Sequence, residues 1–145
     1  ALVGMFLDRY NRKVKKKKIS DCLERTRKWI ISMQSKNGGW GAFDIDNNKD
    51  YLNAIPFADH GALLDPPTVD VSARCLSFLS QQNDPRNDLS INKGLKYILS
   101  EQEKDGSWYG RWGTNYIYGT WSTLSALNLL EFPEKKKCFQ KRLTI

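Results

Sequence analysis

The sequence predicts an all-α fold, and three observations carry that prediction. Apolar residues recur at three- and four-residue spacing in successive segments, and no run alternates apolar with polar residues as a half-buried strand does. One helix-to-loop junction also returns in register 68 residues further along. Together these features predict a toroid of helical hairpins of which these 145 residues form a part.

Taken in order, the segment with Leu2, Met5, Phe6 and Tyr10 is expected to be helical. From Ile19 to Gln34, the residues Ile19, Cys22, Leu23, Thr26, Trp29, Ile30 and Met33 fall on one face of a helix. Ser20 or Asp21 is its expected cap, and Asn37-Gly38-Gly39 its expected stop, because glycine accepts the left-handed backbone that ends helices. A further helix follows Asp65-Pro66-Pro67, a stiff stretch that cannot be helix interior, and sets Val71, Cys75, Phe78 and Leu79 on one side. Ile91, Leu95, Ile98, Leu99 and Gln102 share the next face, between Asn87-Asp88 and Asp105-Gly106. Trp121, Leu124, Leu127 and Leu130 share the last, ahead of Pro133. The connections 36 to 65 and 104 to 119 are crowded with aromatics, Asp, Asn and Gly, and long loops so built pack between repeats or line a site.

The repeat runs over 25–40 and 93–108. Trp29-Ile30, Gln34, Lys36, Gly38 and Trp40 reappear as Tyr97-Ile98, Gln102, Lys104, Gly106 and Trp108, and Arg25 and Lys93 each stand four residues ahead of the first aromatic. A glutamine in the last turn can bond the unpaired groups of a neighbouring helix end, while the glycine turns the chain and lets the tryptophan fold back over it. A generic helix stop explains one such copy, not two sharing Gln, Gly and Trp at equal spacing.

Charge and composition exclude several classes. The net charge is +7, yet residues 36 to 110 hold 7 Lys/Arg against 11 Asp/Glu, so the excess is terminal. It lies in Arg12, Lys13 and Lys15 to Lys18, and again in Lys135 to Lys137, Lys141 and Arg142. Solvated helix-end charge is the expected reading, with an anionic membrane surface as the alternative and no nucleic-acid partner. No stretch approaches a spanning length, and Ala1 to Tyr10 lacks the order of a secretory signal. Cys22, Cys75 and Cys138 are distant from one another and odd in number, which suggests neither a disulfide framework nor a zinc knuckle. His60, the single histidine, is expected in a polar loop at the surface.

The pattern basic-x3-aromatic-Ile-x3-Gln-x5-Trp, with Gly two before Trp, resembles the QW motif of triterpene cyclases. Gly38-Gly39-Trp40-Gly41-Ala42-Phe43-Asp44, the stretch Asp65 to Arg74 and the stretch Gly106 to Thr120 resemble the squalene-hopene cyclases in particular, and the likeness covers about Trp29 to Leu130. The resemblance implies that 1–145 is a partial α/α barrel domain of the C-terminal type. It implies an enzyme that protonates squalene and carries it through a carbocation cascade to hopene or hopanol without metal or organic cofactor. It also implies a monotopic parent on the cytoplasmic side of the cell membrane, drawing squalene from the bilayer, and a homodimer. Such chemistry needs a strong acid and a dry cavity whose aromatic faces stabilise successive cations.

By that resemblance Phe43, Trp112 and Tyr118 are the substrate-facing aromatics, and Asp70, Arg74 and Tyr118 support the acid. Asp70 and Arg74, four apart, share a helix face and can form an ion pair. Many family members carry His where Arg74 stands, and a fixed positive charge there would favour an ionised carboxylate nearby. The family's DxDD motif, whose central Asp delivers the proton, does not occur in these 145 residues, so the chain alone is expected to be inactive. Ala1-Leu2-Val3 resembles the helix that follows that motif, and Cys138 to Ile145 the start of another repeat helix.

Three other readings are weighed against this one. Asp44-x-Asp46-x-Asn48 opens like a calcium loop, but Lys49 and Ile55 replace the required Gly and acidic ligand. The zinc-dependent protein prenyltransferases, also helical toroids, would need a ligand cluster around His60 that the sequence does not supply. A non-catalytic repeat module would bind a partner through exposed Trp108, Tyr109 and Trp112. A cyclase predicts that the aromatics of both loops converge on one cavity, whereas a binding module predicts an outward patch.

Overall fold

The computed structural model describes residues 1–49, 51 and 64–130; His60, Pro133, Cys138 and the basic residues from Lys135 to Arg142 lie outside them. Five α-helices follow in order: α1 (Leu2–Val14), α2 (Lys17–Ser32), α3 (Val69–Gln81), α4 (Asp88–Ser100) and α5 (Asn115–Leu129). A 3₁₀ turn, Pro85–Asn87, leads into α4. Among the described residues there is no strand, only one isolated antiparallel bridge between Asn47 and Asp65. The expected all-α class is what the chain adopts.

The helices pack around α3. α1, α4 and α5 each contact α3, and α2 packs on α1. The shared core joins Leu23 and Ile30 of α2, Ala73, Leu76, Phe78 and Leu79 of α3, Leu95 and Ile98 of α4, and Ala126 and Leu127 of α5. Trp40 and Trp108, each 1% exposed, close it from the loops.

The two repeats match bond for bond. The indole N–H of Trp40 donates to the carbonyl of Ile30 at 2.7 Å, and that of Trp108 to Ile98 at 2.8 Å. The Gln34 amide donates to the carbonyl of Gly38 at 2.7 Å, and that of Gln102 to Gly106 at 3.0 Å. Gly38 and Gly106 both take positive φ, 96° and 83°, which only glycine adopts without strain. Gln34 also reaches the Ser90 carbonyl in the first turn of α4 at 2.9 Å, so the motif joins consecutive hairpins as its chemistry suggests. The Trp40 amide donates to Ser72 of α3 and the Trp108 amide to Thr120 of α5. Those partners are 48 residues apart while the junctions are 68 apart, so the first loop carries 20 additional residues.

Several local expectations are corrected. α2 starts at Lys17 with Lys16 as its cap residue, not at Ser20 or Asp21. The reason is Asn11, whose side chain accepts from the Lys16 amide at 2.8 Å and donates to Ser20 Oγ at 2.8 Å, so it clamps the turn between α1 and α2. α5 starts at Asn115, inside the stretch expected to be loop. Its buried face is Gly119, Ser122, Thr123, Ala126 and Leu127, whereas Trp121 is 54% exposed. An added Cβ at Gly119 would lie 2.5 Å from the Trp108 carbonyl oxygen and 2.6 Å from the Gly110 nitrogen. Close backbone packing, not apolar bulk, therefore sets the face of α5.

Candidate active site

The loop after α2, the N-terminal half of α3 and the loop leading into α5 meet around a cavity of about 550 Å³, within the ordinary range for small-molecule sites. Phe43, Asp70, Arg74, Trp112 and Tyr118, the five residues singled out in the sequence, all line it. Ala1, Leu2, Val3, Trp29, Ile30, Met33, Trp40, Ala42, Val71 and Cys75 complete a wall that is apolar apart from Asp70 and Arg74. The ring centroids of Phe43 and Trp112 stand 6.3 Å apart at 87°, an edge-to-face pair that joins the two loops. Both rings are partly open to solvent, Phe43 at 75% and Trp112 at 42%.

Asp70 is 1% exposed in the first turn of α3. Its Oδ2 accepts from the Trp112 amide at 2.8 Å and its Oδ1 from the Val71 amide at 3.0 Å. The ion pair that its spacing from Arg74 allows is not formed among the described residues. Instead, the Arg74 guanidinium stacks on Trp121, 4.1 Å from the ring centroid, and lies 5.4 Å from that of Tyr118. Its buried Nε has no hydrogen-bond partner among the described residues. Asp70 is turned toward the loop amides and Arg74 toward the π faces of α5, so the two charges face different neighbours. Cys75 is a buried thiol that burial pushes up to about 12, so it stays protonated at neutral pH and offers no nucleophile.

Trp108, expected at the surface if the chain were a binding module, is instead fully buried. Sequence reasoning also passed over Trp121, which carries the Arg74 stack, and Asp65. The sequence marks that aspartate as the start of a stiff turn and of a family-like stretch, without a role of its own, yet it is 6% exposed and accepts three backbone amides of the Phe43 loop. Among the described residues no group of three or more His, Cys, Asp or Glu could hold a metal ion, and no helix is long and apolar enough to cross a membrane.

The family model for the squalene-hopene cyclase C-terminal domain matches residues 1–144. The chain belongs to the squalene-hopene cyclase family. A squalene-hopene cyclase of Schizosaccharomyces japonicus is 68% identical over 74% of this chain and 16% of that protein. One from Zymomonas mobilis is 60% identical over 81% of the chain and 18% of that protein. A dammaradiene synthase of Dryopteris crassirhizoma is 46% identical over 90% of the chain and 20% of its own length. This cyclase domain thus spans a fifth or less of the length of these relatives. Its helices accord with the α/α barrel fold of the family.

Proposed function

We propose that this chain forms one wall of a cyclisation cavity in which a class II triterpene cyclase converts squalene to hopene or hopanol. The observation that carries the reading is the convergence of Phe43, Trp112 and Tyr118, from separate loop and helix segments, on one apolar cavity with Asp70 and Arg74. A proton adds to the terminal alkene, successive π pairs close carbon–carbon bonds, and the last cation loses a proton or takes up water. The aromatic faces stabilise each passing cation through their quadrupoles, and the apolar wall keeps water from quenching it early.

Asp70 holds the Trp112 backbone in place, and Arg74 sets a fixed positive charge against Tyr118 and Trp121. That charge is available to pair with the acidic segment that delivers the proton, which these 145 residues do not contain. A substrate with no affinity for water is best taken from a bilayer, which supports a peripheral place at the membrane surface; the cytoplasmic face is the side the family likeness implies.

The test is to supply squalene to the complete polypeptide that carries this domain, and in parallel to the 145-residue chain, and to analyse the hydrocarbons formed. Pentacyclic hopene or hopanol from the complete polypeptide, with none from the chain alone, is the expected result. No polycyclic product from the complete polypeptide would overturn the reading. A repeat module that binds a protein or glycan is disfavoured because Trp108 spends its indole N–H on Ile98 inside the core.

A further inference from the structure

Asp65 stands outside the set of residues that line the cavity, yet it controls one of them. Its side chain is buried, and its two oxygens accept three consecutive backbone amides: Ala42 to Oδ1 at 3.0 Å, Phe43 to Oδ2 at 2.5 Å and Asp44 to Oδ2 at 2.7 Å. The Asp65 amide in turn donates to the Asn47 carbonyl at 3.0 Å, so the loop closes on this residue from both sides. Gly41 makes the wrap possible, since a Cβ there would lie 2.7 Å from the Asp65 carboxylate.

The base of the clamp is stiff. Pro66 and Pro67 follow at once, the Tyr97 hydroxyl donates to the Pro67 carbonyl at 2.7 Å, and the Thr68 amide donates to the Trp40 carbonyl at 3.1 Å. Five residues after Asp65 comes Asp70, which holds the backbone of Trp112. The two aromatics in edge-to-face contact are therefore each held by a carboxylate on one short rigid stretch.

We propose that Asp65 is a positioning residue of the cyclisation cavity: by holding the amides of residues 42–44, its carboxylate fixes where the Phe43 ring stands against Trp112. The proposal rests on the cyclase reading above. Asparagine in its place offers one acceptor oxygen to three amides and turns an NH₂ donor toward them, so the loop loosens while the side-chain volume is kept. A cation cascade stops early when a ring that should face the next cation is displaced, and a misplacement of about 1 Å costs up to about 100-fold in rate.

The experiment uses the complete polypeptide with squalene, comparing Asp65→Asn, Phe43→Ala and the double variant for turnover, product distribution and thermal midpoint. Asp65→Asn is expected to lower turnover about 10- to 100-fold and to raise the share of incompletely cyclised hydrocarbons, in the pattern that Phe43→Ala gives. Once Phe43 is absent, Asp65→Asn should add no further change in products, although it still lowers the midpoint. A lowered midpoint with wild-type products would show a merely structural role and overturn the proposal, as would a product change that persists without Phe43. Asp65→Glu, which keeps both acceptors on a longer stem, is measured beside them. It is expected to give a smaller shift of the same kind, and wild-type products from every soluble Asp65 variant would equally overturn the proposal. A wild-type polypeptide that makes no polycyclic product fails at the earlier step, and the cyclase reading falls with it.

Discussion

Arg74 shows how a single side chain departs from what spacing suggests. Four residues from Asp70 it could pair with a carboxylate, yet the guanidinium lies over the Trp121 ring and near that of Tyr118. Planarity is what permits the stack, and an ammonium cannot reproduce it. Arg74→Lys is therefore expected to lower stability by about 1 kcal/mol in thermal unfolding, and an unchanged midpoint would show that the stack contributes nothing. Cysteine chemistry gives a second check at this scale. Burial raises the Cys75 thiol to about 12, whereas Cys22 is only partly buried. With iodoacetamide at neutral pH, peptide mapping should find Cys22 modified in the native protein and Cys75 only after unfolding. Early labelling of Cys75 would contradict the closed packing of α3.

At the scale of elements, α2 and α5 explain what the sequence discloses. α2 has a solvent face, so the contrast between apolar and charged positions marks its limits to within two residues. α5 packs through Gly119, Ser122, Thr123 and Ala126, residues that no apolar pattern singles out, so the spacing predicts Trp121 on the inner face while the structure leaves it 54% exposed. Gly119→Ala should cost about 1–3 kcal/mol despite the better helix propensity of alanine, because the added carbon meets backbone atoms that cannot turn aside. A stabilised variant in thermal or denaturant unfolding would show that the two segments are not in contact. The candidate site was legible in its aromatics and in Asp70 and Arg74, which the repeat and the family likeness brought into view. Asp65, Gln81 and Asn87 were not legible, because what buries them is hydrogen bonding to distant backbone. Gln81 bonds the Met5 carbonyl and Asp8, and Asn87 bonds the Leu79 carbonyl while accepting from Arg27. Polar residue type alone carries no sign of such partners.

For the molecule as a whole, polar links join the hairpins beside the shared core. Glu24 of α2 pairs with Arg27 at 2.7 Å and with Arg86 at 3.3 Å, and Arg86 pairs with Asp84 at 2.5 Å. The hydrogen bonds from Arg27, then the charges of Arg27, Arg86 and Lys28, hold Glu24 at about 2 instead of 4.5. Hydrogen bonds from Arg86 likewise lower Asp84 from 3.8 to about 2. Both carboxyls are more acidic folded than unfolded, so their contribution is complete above the ordinary carboxylate range and is lost as pH falls through it toward about 2. Thermal midpoints should drop between roughly pH 5 and pH 2, and Glu24→Gln should flatten that drop. An unaltered acid slope in the variant would show that the pair does not couple the hairpins.

The central claim is that the Phe43, Trp112 and Tyr118 cavity receives the folding hydrocarbon and its cations. The most direct measurement is a crystal structure of the complete polypeptide with a squalene analogue in which a protonated amine replaces a cationic carbon. The account predicts the chain of the analogue lying in this cavity, with its ammonium against these aromatic faces. An analogue bound elsewhere, with the cavity filled by another part of the protein, would contradict it.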